Sequence, residues 1–285
     1  MRRVLQCLMR NIRAMKTNKQ SCRIIAITVS LCLIGAVARG QFFDCSSGLL
    51  QTPTAEMNPS GTFMFATNFL NKHTLPEKLY WDYHTFNYGI NITFWSRLEI
   101  GYVMTLIDGS KKQGEVSEWL RIMRNQDRHF TAKILVFHEG EFGFNWMPAL
   151  AIGVSDPTTG ARDGDYVEEM TKGGNAGFNR YYIAATKHFQ TKMGLIGAHL
   201  GYQYNNIDDV HYNAPCAAID WMPIWLQKEN VVRTKLISEF DGRTFNVGVI
   251  VSLWRDHFDA MIELQAMKWV TAGVRYKLVL KCSHP

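Results

Sequence analysis

Two histidines in the second half of the chain have neighbours that could support catalysis. His188 and His199 lie in adjacent segments of alternating polar and apolar residues, with Thr186, Ser238 and Ser252 as candidate hydroxyl partners. A histidine that takes the proton of a hydroxyl creates the nucleophile of a hydrolase. Triad geometry cannot be read from spacing across strands. The sequence therefore leaves the hydrolase interpretation open and favours both histidines as inward-facing or interface residues.

Three further histidines and the acidic pairs Asp208-Asp209 and Glu168-Glu169 lack the spacing of a metal site. His211, His257 and His284 are scattered through turns and the C-terminal tail, without the short intervals that zinc ligands require. The loop 156–178 is rich in Gly, Asp and Thr, which makes calcium binding there a minor alternative. We therefore predict no catalytic residue, no metal and no cofactor.

Charged residues at alternate positions form a second group with a different chemistry. They fall on the side of each segment opposite the large apolar residues, so in a sheet they share one face. If that face encloses a lumen, side chains of both signs can pair and close the bore. Alternatively, they can line a narrow polar path for a sugar chain or a small solute. The lumen-lining candidates are Glu99, Lys133, Lys235, Glu239, Glu263 and Arg275.

The elements that would position these groups are strands. Residues 85–95, TFNYGINITFW, alternate large apolar side chains with small or polar ones, which is typical of a strand with two different faces. The same pattern recurs about a dozen times after Gln41, without helical periodicity of comparable length. The predicted strands cover residues 61–70, 84–95, 98–107, 129–138, 146–155, 180–189, 193–204, 214–222, 232–240, 244–254, 257–265 and 268–280.

The length of these segments favours a membrane over a soluble core. Strands of about 9–12 residues suit a tilted crossing of a bilayer, whereas strands of soluble sheets are nearer 5–6 residues. Short turns alternate with long polar connections at 71–83, 108–127 and 156–178. The sequence thus predicts an all-β fold, a transmembrane up-and-down antiparallel β-barrel of about 12 strands over residues 61–281. A soluble β-sandwich is the alternative.

Aromatic residues collect near the ends of the predicted strands, where outer-membrane barrels place their interface girdles. The apolar strand end at 222–225 is of the same kind. The expected location is therefore the outer membrane of a Gram-negative bacterium, with outer-membrane lipid around the barrel. The predicted girdle residues are Trp95, Trp146, Tyr181, Tyr182, Tyr202, Tyr204, Trp221, Trp254 and Trp269.

The first forty residues have the composition of a cleaved signal peptide. A basic region precedes an apolar run of about fourteen residues and a small-residue site at 38–40. Residues 1–14 are interpreted as an over-extended start before Met15. Removing residues 1–40 takes away eight Lys and Arg residues and changes the formal charge from +6 to −2. The basic character belongs to this export segment, so no nucleic-acid partner is predicted.

The segment between the signal peptide and the first strand, residues 41–60, is interpreted as an N-terminal leader or a short plug. Pro53 and Pro59 exclude a helix interior and make this segment a poor member of a sheet. It could lie inside the barrel, follow its rim, or simply lead into the first strand. An oxidising compartment would also allow a bridge between Cys45 and Cys282.

Four segments carry a family resemblance. They read GLLQTPTAEM at 48–57, MPALAIGVSDP at 147–157, RYYIAATKHF at 180–189 and SEFDGRTFNVGV at 238–249. In this order they resemble the YjbH-type family of bacterial outer-membrane β-barrels, often labelled exopolysaccharide biosynthesis protein. The likeness covers most of residues 46–280 and is greatest to short, single-barrel forms of Bacteroidetes-like bacteria. It implies a place in extracellular polysaccharide or capsule secretion and supplies no catalytic residues.

The barrel pattern and the resemblance lead to one main hypothesis and two alternatives. The main hypothesis is a non-enzymatic outer-membrane barrel that assists secretion or surface assembly of exopolysaccharide or capsule. Its expected partners are the polysaccharide and secretion proteins of the periplasm or outer membrane. A small-solute outer-membrane channel is the first alternative, and a lipid-active barrel enzyme is the second.

Overall fold

The computed structural model describes residues 44–74, 84–107, 125–157, 178–205, 213–228 and 231–280. The predicted signal peptide, most of the long connections and Cys282 lie outside these residues. Within these ranges the regular structure includes strands and 3-10 turns at Glu141–Gly143 and Ile224–Leu226. The strands are β1 (Thr62–Leu70), β2 (Thr85–Phe94), β3 (Leu98–Ile107), β4 (Asn125–Phe137), β5 (Ala149–Ser155), β6 (Arg180–Thr191), β7 (Gly194–Tyr204), β8 (Ala214–Pro223), β9 (Val232–Phe240), β10 (Phe245–Leu253), β11 (Phe258–Gln265) and β12 (Trp269–Val279).

These strands close into a barrel. Each strand pairs antiparallel with its neighbours in sequence, and β1 pairs with β12 from Thr62 opposite Val279 to Phe69 opposite Ala272. Closure satisfies the backbone groups that an open sheet would leave unpaired at its edges. The predicted up-and-down barrel of about twelve strands is confirmed, with bounds that agree to within a few residues. Within the described ranges, no helix is long and apolar enough to cross a membrane.

The two ends of the barrel differ in their connections. At the short-turn end, tight turns join β2 to β3, β6 to β7 and β10 to β11, and β1 begins there. The long-loop end carries the connections that follow β1, β3, β5 and β7. Trp95 and Trp254 open two of the tight turns with φ of 52°, a region that L-residues rarely adopt. Bacterial outer-membrane barrels have this asymmetry, with short turns towards the periplasm.

The two faces of each strand meet different surroundings. On β2, the polar side chains are buried inside the barrel, whereas Ile90 and Phe94 are exposed on the outer surface. This is the inverse of a soluble protein and matches the alternation in the sequence. Of the predicted girdle residues, those exposed on the outside are Trp95, Trp146, Tyr181, Tyr202, Tyr204 and Trp254, and Trp221 is partly covered. The prediction of Trp269 as a girdle residue is wrong, because it lies opposite the buried Gln265 on the inner-face side of β12 and stacks on His73 at 3.8 Å.

The prediction of Tyr182 as a girdle residue is wrong. Because Tyr182 directly follows Tyr181, strand alternation turns the two rings to opposite faces. Tyr182 is buried inside the barrel, with its ring 5.5 Å from the Arg180 guanidinium. A Cβ on Gly153 would lie 2.2 Å from this ring, so a glycine is needed opposite it.

The interior of the barrel is occupied by polar side chains and by residues 44–58, which we call the luminal segment. Most of its residues are buried, although it forms neither helix nor strand. A buried irregular segment has no ladder partner for its amides and carbonyls. Its backbone must therefore be satisfied by side chains of the barrel wall.

Candidate functional site

The luminal segment crosses the barrel from the long-loop end to the short-turn end. Near its start, Asp44 Oδ2 pairs at 3.0 Å with Nη2 of Arg180, at the beginning of β6. Cys45 is a free thiol whose Sγ accepts a hydrogen bond from Asn68 Nδ2 at 3.6 Å. Burial raises the pKa of this thiol, so it stays protonated. At its other end the segment runs directly into β1.

Glu99 and Lys133 hold the luminal segment against β3 and β4. The Glu99 carboxylate accepts hydrogen bonds from the Ser47 amide at 2.7 Å, from the Ser47 hydroxyl and from Asn91 Nδ2 at 2.9 Å. Lys133 Nζ donates to the carbonyls of Ser47 and Glu56, both at 2.8 Å, and lies 3.7 Å from Glu99 Oε2. Both side chains are almost fully excluded from solvent, so their charges depend on these partners.

Further wall residues satisfy the backbone in the middle of the segment. The Gln51 amide donates to Oε1 of Glu239 on β9 at 2.8 Å. Arg275 on β12 donates to the carbonyls of Gly48 at 3.2 Å and Leu49 at 3.1 Å. Charged side chains thus replace the sheet partner that this irregular backbone lacks.

Three apolar clusters in the described part of the chain complete the packing. Leu49 and Leu50 are fully buried against strands β8 to β11, and Ala55 is buried against β4 and β5. Burying one leucine side chain contributes about 1.5–3 kcal/mol. The clusters are Leu49, Leu50, Ala218, Ile237, Ile250 and Met261; Ala55, Leu135, Ala149 and Ala151; and Cys45, Ala66 and Val103.

Glu56 forms a second ion-paired contact of the luminal segment. Its Oε1 lies 2.6 Å from Nζ of Lys235 on β9 and 3.5 Å from Nε2 of His188 on β6. Lys235 Nζ also lies 3.4 Å from Asp220 Oδ1. Burial alone would raise the pKa of Glu56, but the Lys235 charge and the His188 hydrogen bond outweigh it and hold the pKa well below its usual value.

The Glu56 contact borders a polar cavity of about 380 Å³. The cavity lies near the short-turn end, between the last residues of the luminal segment and the inner face of β8 to β12. A larger depression of about 490 Å³ lies on the outer surface of β4 to β7 and is almost wholly apolar. The polar cavity is therefore the candidate site for a hydrophilic ligand. Its charged lining residues are Glu56, His188, Arg233, Lys235, Asp259, Arg275 and Lys277.

The histidine and hydroxyl of the hydrolase hypothesis do meet, but beneath the luminal segment. His199 Nδ1 lies 2.9 Å from Thr186 Oγ1, and His199 Nε2 lies 2.8 Å from Asp220 Oδ2, in the order of a hydrolase triad. The Thr186 hydroxyl also accepts a hydrogen bond from the Ala55 amide at 2.9 Å. All three side chains are buried. In this arrangement the contacts anchor the segment and leave no access for a substrate.

Glu56, His188 and Asp220 also have the spacing of a metal-binding group, with ligand atoms within 4.8 Å of one another. The ammonium group of Lys235 lies 2.6 Å from Glu56 and 3.4 Å from Asp220. It already neutralises both carboxylates from the side where a cation would bind. The group therefore fits an ion-pair network better than a metal centre.

The structure places the six residues predicted to line the lumen on the inner face of the barrel. Five of them form hydrogen bonds with the luminal segment. Glu263 accepts a hydrogen bond from Thr271 Oγ1 at 3.3 Å, and its carboxyl group also interacts with the Gln51 side chain of that segment. Sequence reasoning missed further residues that take part in these contacts. The luminal segment is irregular, so it has no periodicity that shows which strand of the barrel each of its side chains faces. The missed residues are Asp44, Ser47, Glu56, Arg180 and Asp220.

Comparison with known proteins gives a family match and a distant structural likeness. The family profile described as YjbH, exopolysaccharide biosynthesis protein YbjH, matches residues 45–220, which is more than half of the chain. No curated protein matches. Among solved structures the chain is similar to Wzi, an outer membrane protein involved in group 1 capsule assembly in Escherichia coli and a carbohydrate-binding β-barrel. The identity is 11% and the TM-score 0.30, over 77% of this chain and 56% of the Wzi chain.

Proposed function

This chain belongs to the YjbH family of exopolysaccharide biosynthesis proteins, and on that premise we propose that it assists the secretion or surface assembly of an exopolysaccharide or capsule. It does so as a non-enzymatic barrel in the outer membrane of a Gram-negative bacterium. The closed sheet and its exposed apolar outer face support this location. The proposed partners are outer-membrane lipid, the polysaccharide, and secretion proteins of the periplasm or outer membrane.

The luminal segment is the observation that carries this proposal. Residues 44–58 fill the interior and are held by buried contacts to Glu99, Lys133, Glu239 and Arg275. Barrels of this strand number are also narrower than open channels, which usually have about sixteen strands. A bore filled in this way disfavours the small-solute channel. It supports a barrel that acts beside a secretion route and is not the route itself.

The buried position of Thr186 supports a non-enzymatic role. A hydrolase needs its nucleophile within reach of the substrate, whereas the Thr186 hydroxyl is covered by Ala55. Ser252 is a hydroxyl that does line the polar cavity. Replacing Ser252 by alanine removes this hydroxyl and therefore tests whether the barrel binds its ligand or acts on it as an enzyme.

The test is deletion of the gene, followed by separate measurement of cell-bound and released polysaccharide. We expect deletion to lower the cell-bound fraction, and both the wild-type gene and a Ser252→Ala variant to restore it. An unchanged polysaccharide distribution after deletion would contradict the proposed function. Failure of Ser252→Ala alone, with normal amounts of folded barrel, would favour the enzyme alternative.

A further inference from the structure

We infer that the polar cavity at the short-turn end binds an acidic saccharide, one or two sugar rings long and carrying a carboxylate. The inference rests on the proposed function, which makes polysaccharide the partner, and adds a place and a chemical class of sugar. The cavity volume of about 380 Å³ falls within the range of small-ligand sites, roughly 300–1,000 Å³. Such a volume limits the ligand to a short part of a longer chain.

The charges around the cavity favour a ligand that carries an acid. More Lys and Arg side chains than carboxylates line it, and guanidinium and ammonium groups are the usual partners of carboxylates. The lining cations are Arg233, Lys235, Arg275 and Lys277, and the lining carboxylates are Glu56 and Asp259.

Arg233 and Lys277 keep hydrogen-bond donors for such a ligand. Arg233 uses Nε and Nη2 to bind Asp256, which leaves Nη1 of a side chain that is 58% exposed. Lys277 Nζ lies 2.8 Å from Asp259 Oδ2, which occupies one of its three donors. A ligand carboxylate can therefore bind either cation without breaking its existing pair.

The other lining groups suit the hydroxyls and the apolar ring faces of a sugar. Oδ1 of Asp259 is buried and has no hydrogen-bond partner within the described part of the chain, so it can accept from a sugar hydroxyl. Asn58 adds a side-chain amide. Met222 and Ile250 provide an apolar surface for C–H groups.

The position of the cavity fits a ligand that arrives from the periplasm. Met222, Ser252, Asp259 and Lys277 lie close to the strand ends at the short-turn end, which faces the periplasm in bacterial outer-membrane barrels. The luminal segment closes the other side of the cavity. The site can therefore hold the end of a chain, or a short exposed part of it, without passing the chain through the barrel.

Titration of the full, detergent-folded barrel with digalacturonate and with galactobiose, its neutral counterpart, tests the charge selectivity. We expect digalacturonate to bind about tenfold more tightly than galactobiose, since its carboxylates gain charge-assisted hydrogen bonds. Arg233→Met should weaken digalacturonate binding about fivefold and leave galactobiose unchanged. Lys268→Met, which removes an exposed cation at the long-loop end, is the matched control and should change neither affinity.

A cavity-filling variant tests the location. Ser252→Phe places a ring in the cavity without removing an ion pair, and should weaken the binding of both sugars more than tenfold. Val251→Phe adds a ring on the outer face of the same strand and should bind as the wild type does. Gel mobility of each variant with and without boiling confirms that it is folded. If Ser252→Phe does not fold, the affinity of Arg233→Met for digalacturonate tests the inference instead.

Two results would overturn the inference: no digalacturonate binding at millimolar concentration, or equal binding by the wild type and Ser252→Phe. These results are separable from failure of the proposed function. If gene deletion alters the polysaccharide distribution but the barrel does not bind digalacturonate, only the saccharide site is wrong. If deletion has no effect, the proposed function fails whatever the purified barrel binds.

Discussion

Two of the ion-paired anchors of the luminal segment use the same side-chain types in different surroundings. The dry anchor, Glu99 with Lys133, joins it to β3 and β4, and its side chains are 1% and 2% exposed. The cavity anchor, Glu56 with Lys235, joins it to β9, and its side chains are 21% and 18% exposed. The luminal segment is thus packed without solvent against β3 and β4, and it borders the polar cavity near β9.

This difference in solvent exposure gives the two anchors different roles. At the dry anchor no water can replace a lost partner, so each charge depends on the protein groups around it. At the cavity anchor, solvent shares in stabilising the charges, and a ligand can reach them. The same segment can therefore close the bore and form one wall of a binding site.

The largest expected effect comes from breaking the dry anchor. Lys133→Met should lower the free energy of unfolding by about 3–5 kcal/mol, because it leaves the Glu99 charge buried without its ion-pair partner. Urea unfolding of the barrel in lipid vesicles measures this loss. Glu99→Gln combined with Lys133→Met should cost less than the sum of the single changes, since the double variant leaves no buried charge there. A loss below about 1 kcal/mol for Lys133→Met would mean that water reaches this anchor.

A smaller effect is expected from the cavity anchor. Lys235→Met should lower the free energy of unfolding by about 1–2 kcal/mol, between the values for exposed and fully buried pairs. The partial exposure of Glu56 and the contact of Asp220 with His199 limit the loss. Urea unfolding of the barrel in lipid vesicles compares the loss for Lys235→Met with the loss for Lys133→Met. A loss equal to that of Lys133→Met would remove the distinction between the two anchors.

The smallest effect is a pH dependence of the cavity anchor. The pKa of Glu56 lies below its ordinary value of 4.5, so its contribution is present above that pH and is lost as pH falls through the lowered pKa. Unfolding midpoints from about pH 6 to about pH 3 should therefore fall more for the wild type than for Glu56→Gln. Parallel curves for the two proteins would show that Glu56 is not paired in the folded barrel.

The sequence predicts the strands well because each one lies between an apolar and a polar environment. In β2 and β12, every second side chain differs in polarity, so the period of two is visible without any knowledge of strand pairing. The girdle prediction for Tyr182 is wrong because it follows from the side-chain type alone. Its position next to Tyr181 already required it to point inward.

The sequence predicts the residues of the barrel wall that contribute to the candidate site, but not their contacts with the luminal segment. Glu99, Lys133 and Arg275 stand out because alternation assigns them to the inner face. Pro53 and Pro59 indicate an irregular segment, but neither residue identifies the wall that this segment contacts. Pairs such as Glu56 with Lys235 are 179 residues apart in sequence, and only closure of the barrel brings them together.

Closure of the bore by the luminal segment is the central claim, and single-channel recording in planar bilayers tests it most directly. The full barrel, with an open sixteen-stranded porin as the positive control, is added at equal concentration. We expect no steady conductance from the full barrel, because residues 44–58 are held inside it by both anchors. A steady conductance from the folded wild-type barrel, comparable to that of the porin, would contradict the claim.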